Sequence, residues 1–242
     1  MDRDTRRCAI RVCACLFLCC VSTFALDSSL DVSQYAHASW KLSETFGKGT
    51  IWEVGQTPDG YLWLGTELGW RRFDGIRAVE WQPPPGERLP NTEIRNLMTS
   101  RDGTLWIGTG GGLASWKSGK LTNYPDSDRA DISALPAASI HALQLGSENT
   151  LWAATDVGVS RIGNGRVGTL NSSNGLPCDN AHAVTLDGNR SLWIYMDCGL
   201  VRVTSPELDS WIADPNRRVQ ATLFGISDES KLRLALGRRV RA

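Results

Sequence analysis

The stretch Leu105-Trp106-Ile107-Gly108-Thr109 alternates in side-chain character along its length. With the two-residue period of a strand, Leu105, Ile107 and Thr109 share one face, and Trp106 and Gly108 share the other. The phrase recurs upstream as Tyr61-Leu-Trp63-Leu-Gly65-Thr66, and downstream as Thr150-Leu-Trp152-Ala-Ala-Thr155 and Ser191-Leu-Trp193-Ile-Tyr-Met196. The four tryptophans stand 43, 46 and 41 residues apart, in the range of four-stranded propeller blades. A Leu-Pro pair (Leu89-Pro90, Leu135-Pro136, Leu176-Pro177) precedes three of them, with the proline 16 residues before the tryptophan. Ile94, Ile140 and Ala181 follow those prolines by four residues. Spacing is therefore fixed within a unit, and length varies in the connections, where surface loops tolerate insertion.

One unit reads as four antiparallel strands. Ile94 to Thr99 is the first, with Ile94 and Leu97 apolar, and Arg101-Asp102-Gly103 is an Asp-Gly turn. Leu105 to Thr109, Leu113 to Trp116 and Leu121 to Tyr124 are the second, third and fourth strands. The expected fold class is all-β: a β-propeller of four-stranded antiparallel blades, with about four blades and an incomplete ring. Its repeat positions are Trp63, Gly65, Trp106, Gly108, Trp152 and Trp193. Each tryptophan is expected to cross the gap to the next blade, the small residue beside it leaving room for a large neighbour.

Asp59-Gly-Tyr-Leu-Trp-Leu-Gly-Thr66 and Asp102-Gly-Thr-Leu-Trp-Ile-Gly-Thr109, each followed by a glycine (Gly69, Gly112), resemble the two-component regulator propeller repeat. The resemblance covers about residues 40 to 203. It implies the periplasmic sensor region of bacterial hybrid and sensor histidine kinases, with the kinase elsewhere and glycans or their breakdown products as a ligand class. Trp70, Ala153-Ala154 and Tyr195-Met196 depart from the repeat pattern.

The ends of the chain carry different signals. Arg3, Arg6, Arg7 and Arg11 precede an apolar run from Val12 to Val21, and Thr23-Phe24-Ala25 offers small residues at −3 and −1. Residues 1–25 read as a secretory signal peptide, since about ten apolar residues are too few for the roughly 20 of a spanning helix. A periplasmic or secreted protein is expected. Residues 26–46 are expected to carry an outer closing strand at Ser39 to Ser43, residues 47–228 the propeller repeats, and residues 229–242 a basic tail. The closing strand calls for partners from the C-terminal part, where only Val219 to Ile226 offers one more strand. That shortfall raises the expectation of missing blades, or a kinase region, on another polypeptide. No kinase activity is expected of the chain itself.

The chain balances 26 basic against 26 acidic residues, and removal of the signal leaves 22 against 24. This gives no basic field, so nucleic acid is not expected as a partner. Five of the seven cysteines lie in the signal, leaving Cys178 and Cys198 in the fourth unit. Pairing of the first two strands about a turn at Asp187 to Arg190 sets them almost opposite each other, and export favours a disulfide over two free thiols.

His141 and His182 occupy equivalent places beside the apolar residue of the first strand, which points to a structural role. No acidic or histidine partner recurs at ligand spacing, so no metal and no cofactor are expected. There is no Gly-x-Ser-x-Gly elbow, phosphate loop or kinase signature, and no catalytic residue is assigned. Asp59, Asp102, Asp187 and Glu148 sit beside turns, as turn formers do. Two classes remain. One is a non-catalytic sensor module binding a small molecule or glycan; the other is a secreted propeller enzyme of lyase or lactonase type, to which the innermost strands would contribute Glu53, His141 and His182.

Overall fold

The computed structural model describes residues 49–124, 135, 138–147, 149–163 and 166–225. The chain divides into residues 1–40 and 41–242, and all described residues fall in the second unit. The expected signal peptide, the outer strand at Ser39 to Ser43 and the basic tail lie outside the described residues.

Among the described residues, sixteen strands form four separate sheets, each of four antiparallel strands in chain order. The first blade is β1 (Ile51–Gln56), β2 (Leu62–Thr66), β3 (Gly69–Phe73) and β4 (Ala78–Glu80). The second is β5 (Ile94–Thr99), β6 (Leu105–Thr109), β7 (Gly112–Lys117) and β8 (Lys120–Tyr124). The third is β9 (Ile140–Leu145), β10 (Leu151–Thr155), β11 (Gly158–Gly163) and β12 (Arg166–Leu170). The fourth is β13 (Ala181–Leu186), β14 (Leu192–Met196), β15 (Gly199–Val203) and β16 (Ala221–Phe224). The first strands stand side by side in the order β1, β5, β9, β13. These four blades do not close a ring.

The hairpins follow from local chemistry. Asp102 accepts from Ser100 Oγ at 2.6 Å and Thr104 N at 3.1 Å, and Asp59 accepts from Thr57 Oγ1 and Tyr61 N in the same way. Lys117 Nζ adds an ion pair to Asp102; together with the Ser100 bond it holds this carboxyl far below the usual range. On the other side of each blade the second and third strands join through a second tight turn. Gly69, Gly112, Gly158 and Gly199 all have φ between +126° and +150° there. A side chain at Gly158 would also put its Cβ 2.4 Å from the Leu170 carbonyl oxygen. In the first three blades a threonine clamps this turn. Thr66, Thr109 and Thr155 donate to the carbonyls of Gly69, Gly112 and Gly158 at 2.7 to 2.9 Å, and each accepts from a backbone N–H of the turn at 3.2 Å.

The core lies between blades. Trp63 and Trp70 pack with Leu97, Leu105, Ile107 and Leu121 of the second blade. Trp106 and Leu113 pack with Leu143, Leu151 and Ala153 of the third, and Trp152 with Val184, Leu192 and Ile194 of the fourth. A Cβ at Gly65 would come 2.8 Å from Ile94 Cγ2, and one at Gly108 2.7 Å from Ile140 Cγ2. The glycine thus admits the first residue of the next blade. Where Ala154 replaces it, the facing first-strand residue is Ala181, in the same cluster. Trp70 uses the room beside Gly65, its ring centroid 4.5 Å from Trp63 and 4.3 Å from Trp81.

One element departs from the sequence expectation. The segment after Val203 holds a helix, α1 (Ser205–Ala213), between β15 and β16. Thr204 occupies the N-cap position, Pro206 lies in the first turn, and Glu207 places negative charge at the positive end. Leu208 and Trp211 are buried, and Trp211 reaches back to the third blade, 6.3 Å from Trp152 and against Gly168. Strand β16 then completes the fourth blade against β15.

Candidate functional site

Every blade carries a β-bulge at the start of its first strand. The register against the second strand shifts between Ile51 and Glu53, between Ile94 and Asn96, at the pairs Thr155–Ile140 and Ala154–Ala142, and between Ala181 and Ala183. The skipped residues are Trp52, Arg95, His141 and His182. An unpaired bulge residue leaves the ladder, and its side chain is re-aimed. Four bulges on four adjacent strands therefore set these side chains in a row at one end of the blades.

Their surroundings differ from blade to blade. Trp52 is 52% exposed. Arg95 pairs with Glu93 (Nε to Oε1, 3.1 Å) and donates from Nη1 to Ser139 Oγ of the third blade at 2.7 Å. His141 Nδ1 lies 2.9 Å from the Ala181 carbonyl oxygen of the fourth blade; that oxygen is an acceptor, so Nδ1 carries the proton. His182 Nε2 meets Asp197 Oδ1 at 2.5 Å, and Asn180 Nδ2 donates to Asp197 Oδ2 at 2.9 Å. The two imidazoles stack 15° from parallel with centroids 5.7 Å apart, and the Tyr195 ring lies 5.5 Å from that of His182. The bonds from Asn180 and His182 hold the Asp197 carboxyl below its ordinary value.

His141 thus makes a bond that joins the third and fourth blades, His182 bonds within the fourth, and the two rings meet each other at the open end of the row. The acidic group beside His182, Asp197, comes from the turn between second and third strands, not from the innermost strands. Asp156 accepts from Ser139 N at 3.2 Å, and Asp197 holds His182. Asp197 was legible only as the residue after Met196, aligned with Glu67 and Asp156 in the repeat. Glu53 is exposed and only accepts from Val54 N. No group of three or more potential metal ligands occurs among the described residues.

The remaining positions from the sequence are structural. Trp63, Trp106 and Trp152 are buried between blades. Trp193 has no blade beyond it among the described residues and is half-buried. Phe224 stacks on it at 5.5 Å, the Arg202 guanidinium sits 5.4 Å over its ring, and its Nε1 donates to Asp187. Burial works to raise the Asp187 carboxyl, and the bonds from Trp193, Ser191 and Asn189 outweigh it, so the net shift is downward. Cys178 and Cys198 form a disulfide with Cα atoms 6.3 Å apart, two residues from Asn180 and next to Asp197. At the opposite end of the strands, Ser100, Arg101, Leu145, Gly146, Ser147 and Asn149 line an open cleft of about 850 Å³. No helix among the described residues is long and apolar enough to cross a membrane.

Residues 88–111 match the family model described as two component regulator propeller. No curated protein matches the sequence. Among solved structures, the extracellular domain of BT3049 from B. thetaiotaomicron, assigned as a hybrid two component system, superposes with a TM-score of 0.62 at 17% identity. The alignment covers 77% of this chain and 26% of that one. The extracellular domain of BT4673 from the same organism, assigned as a one component system, gives 0.54 at 21% identity, covering 67% and 22%. The chain therefore spans about a quarter of the length of these relatives, and the likeness is one of fold. A gluconolactonase, XC5397 from Xanthomonas campestris, gives 0.48 at 13% identity over 74% and 64%, too low to bear on activity. Residues 88–111 thus match the two component regulator propeller model, and the blades fold like those of the extracellular domains of these B. thetaiotaomicron one component and two component systems.

Proposed function

We propose that this chain is an extracytoplasmic sensing module of a two-component system, non-catalytic by itself, which binds a small molecule or glycan along the row of bulged residues. The observation that carries this reading is the bulge itself, repeated in all four blades. It gives up ladder pairing each time in order to aim Trp52, Arg95, His141 and His182 at one end. Such a row suits recognition: exposed aromatic faces at Trp52 and Tyr195 flank donors and acceptors that are already oriented by partners. The repeat and the fold agree with a sensor, whose kinase region and further blades would lie on other parts of the system.

Titration calorimetry of the purified protein against a panel of mono- and oligosaccharides tests the proposal. A saturable ligand is expected, with affinity falling tenfold or more, about 1.4 kcal/mol, in His182→Ala and Arg95→Ala. Binding that both variants retain in full would move the site elsewhere. A lyase or lactonase reading draws on the His182–Asp197 pair, which has the form of an oriented general base. Turnover of a lactone or uronate substrate, lost in His182→Ala, would establish it over the sensor.

A further inference from the structure

The turn between the second and third strands is clamped by threonine in three blades and cannot be in the fourth. Met196 stands where Thr66, Thr109 and Thr155 donate to a glycine carbonyl and accept a backbone N–H. The fourth turn, residues 196–199, is the one that carries Asp197, and it is also the one that carries a cysteine. Cys198 bonds to Cys178 on the segment that leads into β13 and holds Asn180. Asp197 N donates to the Asn180 carbonyl at 3.2 Å, Asn180 Nδ2 donates to Asp197 Oδ2, and Asp197 Oδ1 meets His182 Nε2.

We infer that the Cys178–Cys198 disulfide replaces the threonine clamp and acts as a positioning device. It holds Asp197 on His182 and Asn180, which makes this end of the row sensitive to thiol reductants. In the reductive step a dithiol attacks the bond, leaves as a disulfide, and delivers two electrons and two protons to give two cysteine thiols. The turn then keeps only its backbone bonds and the Asn180 and His182 contacts. The segment 178–180 keeps a further tether, since Asp179 accepts from Ser172 N and Oγ. Loosening is therefore expected at the turn and at Asp197. The groups facing Asp197 are His182 and Asn180, with His141 acting through space; the Tyr195 ring packs against His182. This inference rests on the geometry of the turn and not on the ligand reading.

The test follows the Asp197 carboxyl by carbon NMR through a pH titration of the full chain, oxidised and then reduced with dithiothreitol. Asp187 serves as an internal control, since its partners Ser191, Asn189 and Trp193 lie away from the bond. In the oxidised protein Asp197 titrates below the ordinary carboxylate range, and on reduction it moves up while Asp187 stays. The Cys178→Ser/Cys198→Ser variant should match the reduced protein, and adding Met196→Thr should return Asp197 to its oxidised behaviour. An Asp197 titration that is the same in both redox states overturns the inference, even if the reduced protein melts lower, because the bond would then serve global stability alone. Failure of Met196→Thr to restore it in a variant that still folds would also count against the clamp. Loss of sugar binding, or its absence, bears on the function proposed above and leaves this inference untouched.

Discussion

At the scale of single residues, the blade interface depends on a size match. Gly65 faces Ile94 and Gly108 faces Ile140 at distances that leave no room for a Cβ, while Ala154 and Ala181 share the next interface. Gly108→Ala should therefore cost about 1–3 kcal/mol through overpacking. Ile140→Ala alone should cost about 2–5 kcal/mol through the cavity it leaves. Combined, the two reproduce the alanine pair that the third and fourth blades already use. A double-mutant cycle by urea unfolding should give a favourable coupling of at least about 0.5 kcal/mol. Strict additivity would mean that the two side chains do not meet. Tyr195 breaks the same rule: it takes the place of the glycine, is 56% exposed, and turns toward His182.

At the scale of elements, α1 ties the third and fourth blades together. It interrupts the fourth blade between β15 and β16, yet its buried indole, Trp211, lies against Trp152 and Gly168 of the third. Trp211→Ala should cost about 3–5 kcal/mol, as truncation of a buried tryptophan does. Hydrogen exchange should then show β12 and β16 losing protection before β6 and β7. Equal loss in all four blades would contradict a local bracing role. Gly168→Ala is expected to be tolerated, since its Cβ would meet Trp211 at 3.4 Å, an ordinary contact.

At the scale of the whole molecule, the four described blades leave the ring open, and apolar side chains are exposed at both ends of the row. Trp52 and Val54 are 52% and 50% exposed in the first blade, and Tyr195 is exposed in the fourth. Exposed apolar patches of this kind are liable to associate. The isolated chain should bind a hydrophobic dye and show concentration-dependent association by light scattering, reduced in Val54→Lys. A monodisperse, dye-free monomer with one sharp melt would mean that these surfaces are covered.

The sequence by itself determined the strands, the blade and the repeat. Alternation, Asp-Gly turns and a fixed Leu-Pro offset act within a few residues, so Ile94–Thr99 and Leu105–Thr109 were readable to the residue. It also placed Trp63, Trp106 and Trp152, because a large side chain paired with a small one two residues on leaves little choice of neighbour. The helix could have been read from Thr204-Ser205-Pro206-Glu207 and the spacing of Leu208, Trp211 and Ile212, but a nine-residue helix draws its stability from packing more than from propensity. The bulges and the site had to come from the tertiary structure. A bulge is a choice of register between two strands, and neither strand records it alone. The Asp197–His182–His141 cluster joins a turn, a first strand and the preceding blade, segments that meet only when blades stack. Its geometry is set by which carbonyl and which carboxylate happen to stand behind each ring, and those distances exist only in the folded chain.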